Sequence, residues 1–235
     1  MFKVFQGMAN QGDHMLKQLI NLVFPIKCIF CGELLGFDNK VSICNECYGK
    51  IPFFDDRVYE LGPLYSFDNC ICLCEYSGII KDAIKRYKFY NKPAYYRTFG
   101  KLLADKIMRV TTADKIDIII SIPLNKDRQN QRGYNQSYLI SNYISKLLKI
   151  SEKSYALGKV RNTGVQSLMN RNLRAANVEG AYKVLYPEKV KGRRVFLIDD
   201  ILTTGSTLSE CSRVLKESGA VEVTAVAIAS GRKFI

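Results

Sequence analysis

The sequence predicts an α/β protein built on a parallel sheet flanked by helices, preceded by a small N-terminal metal-binding module. Three observations predict it. Short apolar runs rich in β-branched residues (118–122, 195–198 and 221–229) alternate with segments of helical periodicity. One of these runs ends in Asp199-Asp200 and a hydroxyl-rich loop, at the strand end where open α/β sheets bind ligands. Four of the 8 cysteines form two Cys-x-x-Cys pairs near the N-terminus.

The elements follow in chain order. Residues 13–24 read as an amphipathic helix, with Leu16, Leu19, Ile20 and Val23 on one face behind Asp13 as a cap, ended by Pro25. Such a helix either docks onto the module or lies on a membrane surface. Cys28, Cys31, Cys44 and Cys47 follow, and each pair can wrap a tight turn that aims two thiolates at one metal, with Gly32 easing the first turn. Four thiolates close a tetrahedral zinc site, so this zinc is structural, and in so small a module it supplies folding energy. The alternative is two disulfides, which a reducing cytosol disfavours. Pro52, Gly62 and Pro63 mark a boundary, giving domains 1–60 (helix and zinc ribbon) and 70–235.

A strand fits 70–76, where Cys70, Cys72 and Cys74 alternate onto one face, as core packing rather than a second metal site. Helices fit 78–89 and 94–110, and the strand 118–122 stops at Pro123. A polar loop leads to a helix near 136–149, with Ile140, Ile144, Leu147 and Leu148 inward. A strand fits 155–160, and 161–180 reads as a long basic loop with no structure of its own. After strand 195–198, a helix over 207–218 carries Cys211 in the core and ends at Gly219, before the strand 221–229.

At 235 residues, 47% hydrophobic and 24% charged, the composition excludes wholesale disorder and a fibrous repeat. No apolar run reaches the ~18 residues of a membrane span, and the N-terminus does not read as a secretory signal, so a cytoplasmic location is predicted. The single histidine, His14, has no catalytic context, which argues against a Ser-His-Asp site. The net charge is +13, of which residues 81–109 and 123–180 carry +7 each. Such surfaces attract phosphates, on small molecules or on nucleic acid, although helix-surface lysines also serve solubility.

The most informative residues are Asp199, Asp200, Thr203, Thr204, Gly205, Ser206 and Thr207. A short loop running into a helix aims backbone N–H groups and hydroxyls at one point, and the helix dipole adds partial positive charge. That suits a phosphate monoester. Paired carboxylates suit a ribose diol, or a Mg²⁺ that the diol also binds. No Walker A or dinucleotide fingerprint is present. Hydroxyls before a helix can simply be caps, but capping does not require two aspartates.

The Asp-Asp-x-x-Thr-Thr-Gly-Ser-Thr segment resembles the 5-phosphoribosyl-1-pyrophosphate (PRPP) loop of type I phosphoribosyltransferases. Further stretches strengthen the resemblance: Leu22-x-x-Pro25 before the four cysteines, Lys88-Phe89, and Ile122-Pro-Leu-x-x-x-Arg128-x-x-x-Arg132-Gly-Tyr-Asn-Gln136. The last is Arg161-x-x-x-x-Gln166-x-x-x-x-Arg171 with Asn177-Val-x-Gly180. Together, from about residue 15 to 230, the chain resembles the ComF (competence protein F, ComFC-like) family.

The resemblance implies a type I phosphoribosyltransferase fold with an N-terminal zinc ribbon. It implies that Asp199 and Asp200 face the ribose hydroxyls, that Thr203 to Thr207 hold the 5-phosphate, and that Arg128 and Arg132 contact the pyrophosphate with Mg²⁺. The segment 161–180 becomes a closing loop carrying Arg161, Gln166 and Arg171, with Arg161 and Arg171 the catalytic candidates. Tyr87 and Lys88 either border the site or end a helix. The implied function is PRPP binding with handling of single-stranded DNA in natural transformation, alongside a helicase or another DNA-processing protein. Interleaved Tyr87, Tyr90, Tyr95, Tyr96 and Tyr134 suit base stacking. Two rivals stand beside it: an active phosphoribosyltransferase with an unidentified acceptor, and a PRPP-sensing module whose ribbon docks another protein.

Overall fold

A computed structural model of the chain describes residues 25–36, 41–161 and 176–232. The predicted helix over 13–24, together with Gln166 and Arg171, lies outside the described residues. The chain divides into two compact units, Met1–Lys50 and Ile51–Ile235.

In the first unit, Cys28 N–H donates to Glu33 O (2.8 Å) and Gly32 N–H returns to Cys28 O (2.9 Å), closing a knuckle that needs Gly32 at φ +82°. The second pair is carried on the short helix α1 (Asn45–Gly49), with Cys44 at its N-cap and Tyr48 N–H donating to Cys44 O at 2.9 Å.

The second unit holds the sheet. In chain order its elements are β1 (Asn69–Glu75), α2 (Gly78–Phe89), α3 (Tyr95–Val110), β2 (Ile118–Ser121), α4 (Lys126–Arg132), α5 (Gln136–Leu148) and β3 (Ser151–Glu152). There follow β4 (Leu157–Lys159), β5 (Tyr182–Val184), β6 (Arg194–Leu202), α6 (Ser206–Glu217) and β7 (Glu222–Ser230). The five-stranded sheet has the order β1-β7-β6-β2-β3, every pair parallel. Register is set by Cys70 opposite Ala225, Ile198 opposite Val226 and Ile120 opposite Leu197. Parallel strands are covered on both faces, which is why their sequences run continuously apolar. One face packs Cys70, Cys72, Ile120, Leu197 and Ala225 against Leu208, Cys211 and Leu215 of α6. α3 and α5 pack on each other and on β1, β2 and β6, burying Leu103, Ile107, Ile140 and Ile144.

The alternating cysteines are core. Burial pushes the Cys70 thiol up to about 12 and Cys72 well above its ordinary value, so both stay protonated. The stretch 52–69, where the sequence suggests a boundary, pairs with β1 through antiparallel bridges of Phe53 with Cys74 and Tyr59 with Cys70. Lys106 fastens it. That ammonium is almost wholly buried, donates to Phe54 O (2.8 Å) and to Asp55 O, and pairs with Asp56 Oδ1 at 3.0 Å.

Four local expectations are corrected. The polar loop after Pro123 contains α4, whose Asn125 side chain accepts from Asp127 N–H (2.9 Å) and whose end turns at Gly133, φ +81°. With no apolar residue in its seven, α4 has no periodicity to detect. The strand at 155–160 shrinks to β4, which forms an antiparallel ribbon with β5 instead of joining the main sheet. β6 continues past residue 198 to Leu202. Leu147 faces solvent, while Ile140 and Ile144 are buried.

Candidate functional site

Neighbouring strands of unequal length create the site. β2 ends at Ser121 opposite Ile198, and Pro123 carries the chain away, whereas β6 runs four residues further. Asp199 and Asp200 therefore project beyond the end of β2 into a cavity of about 920 Å³. Asp199 Oδ1 accepts from the Ser137 hydroxyl (3.0 Å) and from Asp200 N–H (2.9 Å). Burial, then the negative charge of Asp200, push the Asp199 carboxyl up to about 7 against the pull of Lys88. Asp200 is 3% exposed; its Oδ1 pairs with Lys88 Nζ at 2.9 Å, and its Oδ2 is buried with no hydrogen-bond partner.

The loop Thr203–Gly205 leads into α6. Thr204 and Ser206 hydroxyls lie 3.0 Å apart, and Gly205 turns the chain at φ +81°. A side chain at Gly205 would be strained by that φ and would also strike the Tyr65 ring, whose Cε1 lies 2.6 Å from an ideal Cβ. The cavity wall opposite comes from α4 and the last turn of α2. The Arg132 guanidinium lies 5.3 Å from the Phe89 ring centroid and contacts Gln136 Oε1, while Arg128 projects from the same helix. Lys159 of β4 also lines the cavity, 5.4 Å from the Tyr182 ring centroid; burial, then Arg128 and Arg161, lower its pKa. Four cations and two carboxylates thus face one space, which favours an anion that also carries hydroxyl donors.

Asp199, Asp200, Thr203, Thr204, Gly205, Ser206, Thr207, Arg128 and Arg132 all line this cavity. Arg161 does not. Its guanidinium donates to Asn177 O (3.1 Å) and Glu179 O (2.6 Å), tying together the two described ends of the segment that contains Arg171. Lys88, left open between two roles by the sequence, belongs to the site through Asp200. Lys159 was missed, and a lone lysine in a three-residue strand carries no signal to find it by. Tyr87 is buried beneath the site and donates to Gln136 O at 2.8 Å.

In the N-terminal unit, the sulfurs of Cys28, Cys31, Cys44 and Cys47 all lie within 4.8 Å of one another, with Cys31 and Cys44 3.7 Å apart. Tetrahedral thiolates at ~2.3 Å from a zinc ion are about 3.8 Å apart, so the cluster can hold such an ion. Burial opposes a Cys28 thiolate, but N–H groups of Cys31, Cys44 and Phe30 outweigh it and bring the thiol down to about 7.

The family model for the phosphoribosyl transferase domain matches residues 88–233. Competence protein F of Haemophilus influenzae is 31% identical over 217 residues, covering 85% of this chain and 95% of that protein. DNA utilization protein YhgH of Shigella flexneri is 31% identical over 204 residues, covering 83% and 86%. Competence protein ComFC of Bacillus subtilis is 25% identical over 150 residues, covering 61% and 56%. Among the described residues, no helix is long and apolar enough to cross a membrane.

Proposed function

The chain belongs to the competence protein F family and carries its phosphoribosyl transferase domain, and from this we propose that it binds PRPP in the cleft at the end of β6 and handles single-stranded DNA in transformation. The observation that carries the PRPP reading is the unpartnered Asp200 Oδ2, buried among cations. A DNA backbone phosphate has no donor for that oxygen, whereas a ribose hydroxyl does. The adjoining loop and helix terminus suit the 5-phosphate, and Arg128 and Arg132 suit the pyrophosphate. Asp199 and Asp200 are the carboxylates that would hold a Mg²⁺ ion, which would neutralise pyrophosphate charge.

The DNA reading is supported by the names of the relatives, which speak of competence and DNA utilization, and by the basic surface. Phe89, beside Arg132, and Tyr90 are 70% and 66% exposed, as suits base stacking. We assign zinc to the four-cysteine cluster as a structural ion. A reduced cluster fits the cytoplasm, and that unit suits docking of a helicase or other DNA-processing partner. Phosphoribosyl transfer is the second reading, favoured by the place of Asp199 in the cavity beside Asp200, where burial and that neighbouring charge raise its carboxyl toward the range of a general base.

Calorimetric titration of Mg²⁺-PRPP tests the site. Saturable binding by the wild type, reduced at least tenfold in Asp199→Asn/Asp200→Asn and in Thr204→Ala/Thr207→Ala, is expected, at about 1.4 kcal/mol per factor of ten. Absence of binding by the folded wild type rejects it. Affinity for an oligothymidylate should fall steeply as salt rises, with a log–log slope near −0.7 per neutralised phosphate; salt-independent binding, or none, removes the DNA reading.

A further inference from the structure

The geometry points to Tyr65 and Arg232 as positioning residues that hold the Thr203–Gly205 loop in its anion-binding posture from behind the cleft. The inference rests on the reading of that loop as a phosphate cradle. Neither residue lines the cavity. Arg232 donates from Nε to Thr203 O and from Nη2 to Thr204 O, both at 3.0 Å. The Tyr65 hydroxyl donates to the same Thr204 O at 3.1 Å. The two side chains also brace each other: the guanidinium lies 5.3 Å from the Tyr65 ring centroid, and its Nη1 contacts the Tyr65 hydroxyl.

Each partner is itself anchored. Tyr65 stacks on Phe67 at 4.9 Å between centroids, and Phe67 is buried in the core. Arg232 is the second residue past β7; its N–H donates to Ser230 Oγ (3.0 Å), and Gly231 N–H donates to Leu202 O (3.0 Å). The brace thus joins the segment before β1 to the segment after β7, behind a loop that belongs to neither.

The consequence follows from peptide geometry. In a trans peptide the C=O and the next residue's N–H point in opposite directions. Drawing the Thr203 and Thr204 carbonyls back onto Arg232 and Tyr65 turns the N–H groups of Thr204 and Gly205 the other way, toward the cavity. The Tyr65 ring also fills the space where a side chain at position 205 would project, so the glycine and the brace form one device. Arg232 therefore serves anion binding without contacting the anion. Arg232 uses three nitrogens of one plane, Nε on Thr203 O, Nη2 on Thr204 O and Nη1 on the Tyr65 hydroxyl, a rigid fork that a single ammonium nitrogen does not reproduce.

The test titrates ribose 5-phosphate, and separately inorganic phosphate, into wild type, Arg232→Gln, Arg232→Lys and Tyr65→Phe, each checked for an intact fold by thermal melting. Ribose 5-phosphate affinity should fall about tenfold or more in Arg232→Gln and nearly as far in Arg232→Lys, with a smaller loss in Tyr65→Phe, as suits one or two loop hydrogen bonds. The amide NMR signals of Thr204 and Gly205 should move on adding phosphate to the wild type and move less at the same phosphate concentration in Arg232→Gln. Full affinity in Arg232→Lys would mean that charge alone acts, and it overturns the inference. Unchanged affinity and amide response in every variant overturns it too, while leaving the loop's reading standing. If the wild type fails to bind, that reading falls, and the inference with it.

Discussion

Asp199 is a buried carboxyl beside a second carboxylate, and burial first, then the charge of Asp200, oppose its ionisation. Its folded-state pKa of about 7 lies above its ordinary 3.8, so the folded protein binds the proton more tightly than the unfolded chain. Stability associated with this group is therefore greatest at low pH and declines as pH rises from about 4 to about 7. Asp199→Asn removes the penalty while keeping an acceptor for Ser137. We expect its melting temperature to rise at pH 8 by the equivalent of about 1–2 kcal/mol, with little gain at pH 4, while PRPP affinity is lost. Equal melting temperatures at both pH values would contradict this. The carboxylates and hydroxyls were legible in the sequence because they occupy one short stretch. Lys88 was left open between two roles, and Tyr65 and Arg232 were assigned none, because they arrive from distant parts of the chain: 139 residues separate Tyr65 from Thr204. Arg161 shows the opposite limit. Its motif suggested the cavity, but its fork closes on backbone carbonyls instead.

At the scale of elements, strands buried on both faces announce themselves as apolar runs, which is why β2, β6 and β7 were legible. α4 is polar all round and depends on its ends, an Asn125 cap and the left-handed Gly133. The cap is worth about 1 kcal/mol by general experience. Asn125→Ala should therefore fray the helix that carries Arg128 and Arg132. PRPP affinity should fall several-fold while ribose 5-phosphate, which lacks the pyrophosphate, binds as before. Parallel calorimetric titrations of the two ligands check this, and an equal loss for both would place the effect elsewhere. β5 and its pairing with β4 escaped detection because β5 has only three residues and the two strands come from the two sides of a long intervening segment.

For the whole molecule, the division at Lys50–Ile51 separates two kinds of stability. The second unit has a core packed on both faces of its sheet, whereas the first has four convergent sulfurs. A strong chelator should release one zinc per chain and leave the first unit open to proteolysis, while PRPP affinity stays within about twofold, since zinc binding in such modules is folding energy. Collapse of both units together would show that the metal supports the whole chain. The four convergent cysteines were visible in the sequence spacing. The attachment of residues 52–69 to the sheet was not, because main-chain bridges to β1 have no side-chain pattern.

That attachment has a consequence for colloidal behaviour. A sheet margin with unsatisfied N–H and C=O groups invites other chains to add strands. Here the margin at β1 is covered by the bridges of Phe53 and Tyr59, and the margin at β3 is only two residues long. The residues matching the phosphoribosyl transferase family model begin at 88, in the last turn of α2. A fragment cut there would lose β1 and its cover and lay bare the apolar flank of β7, so it would self-associate rather than stand alone.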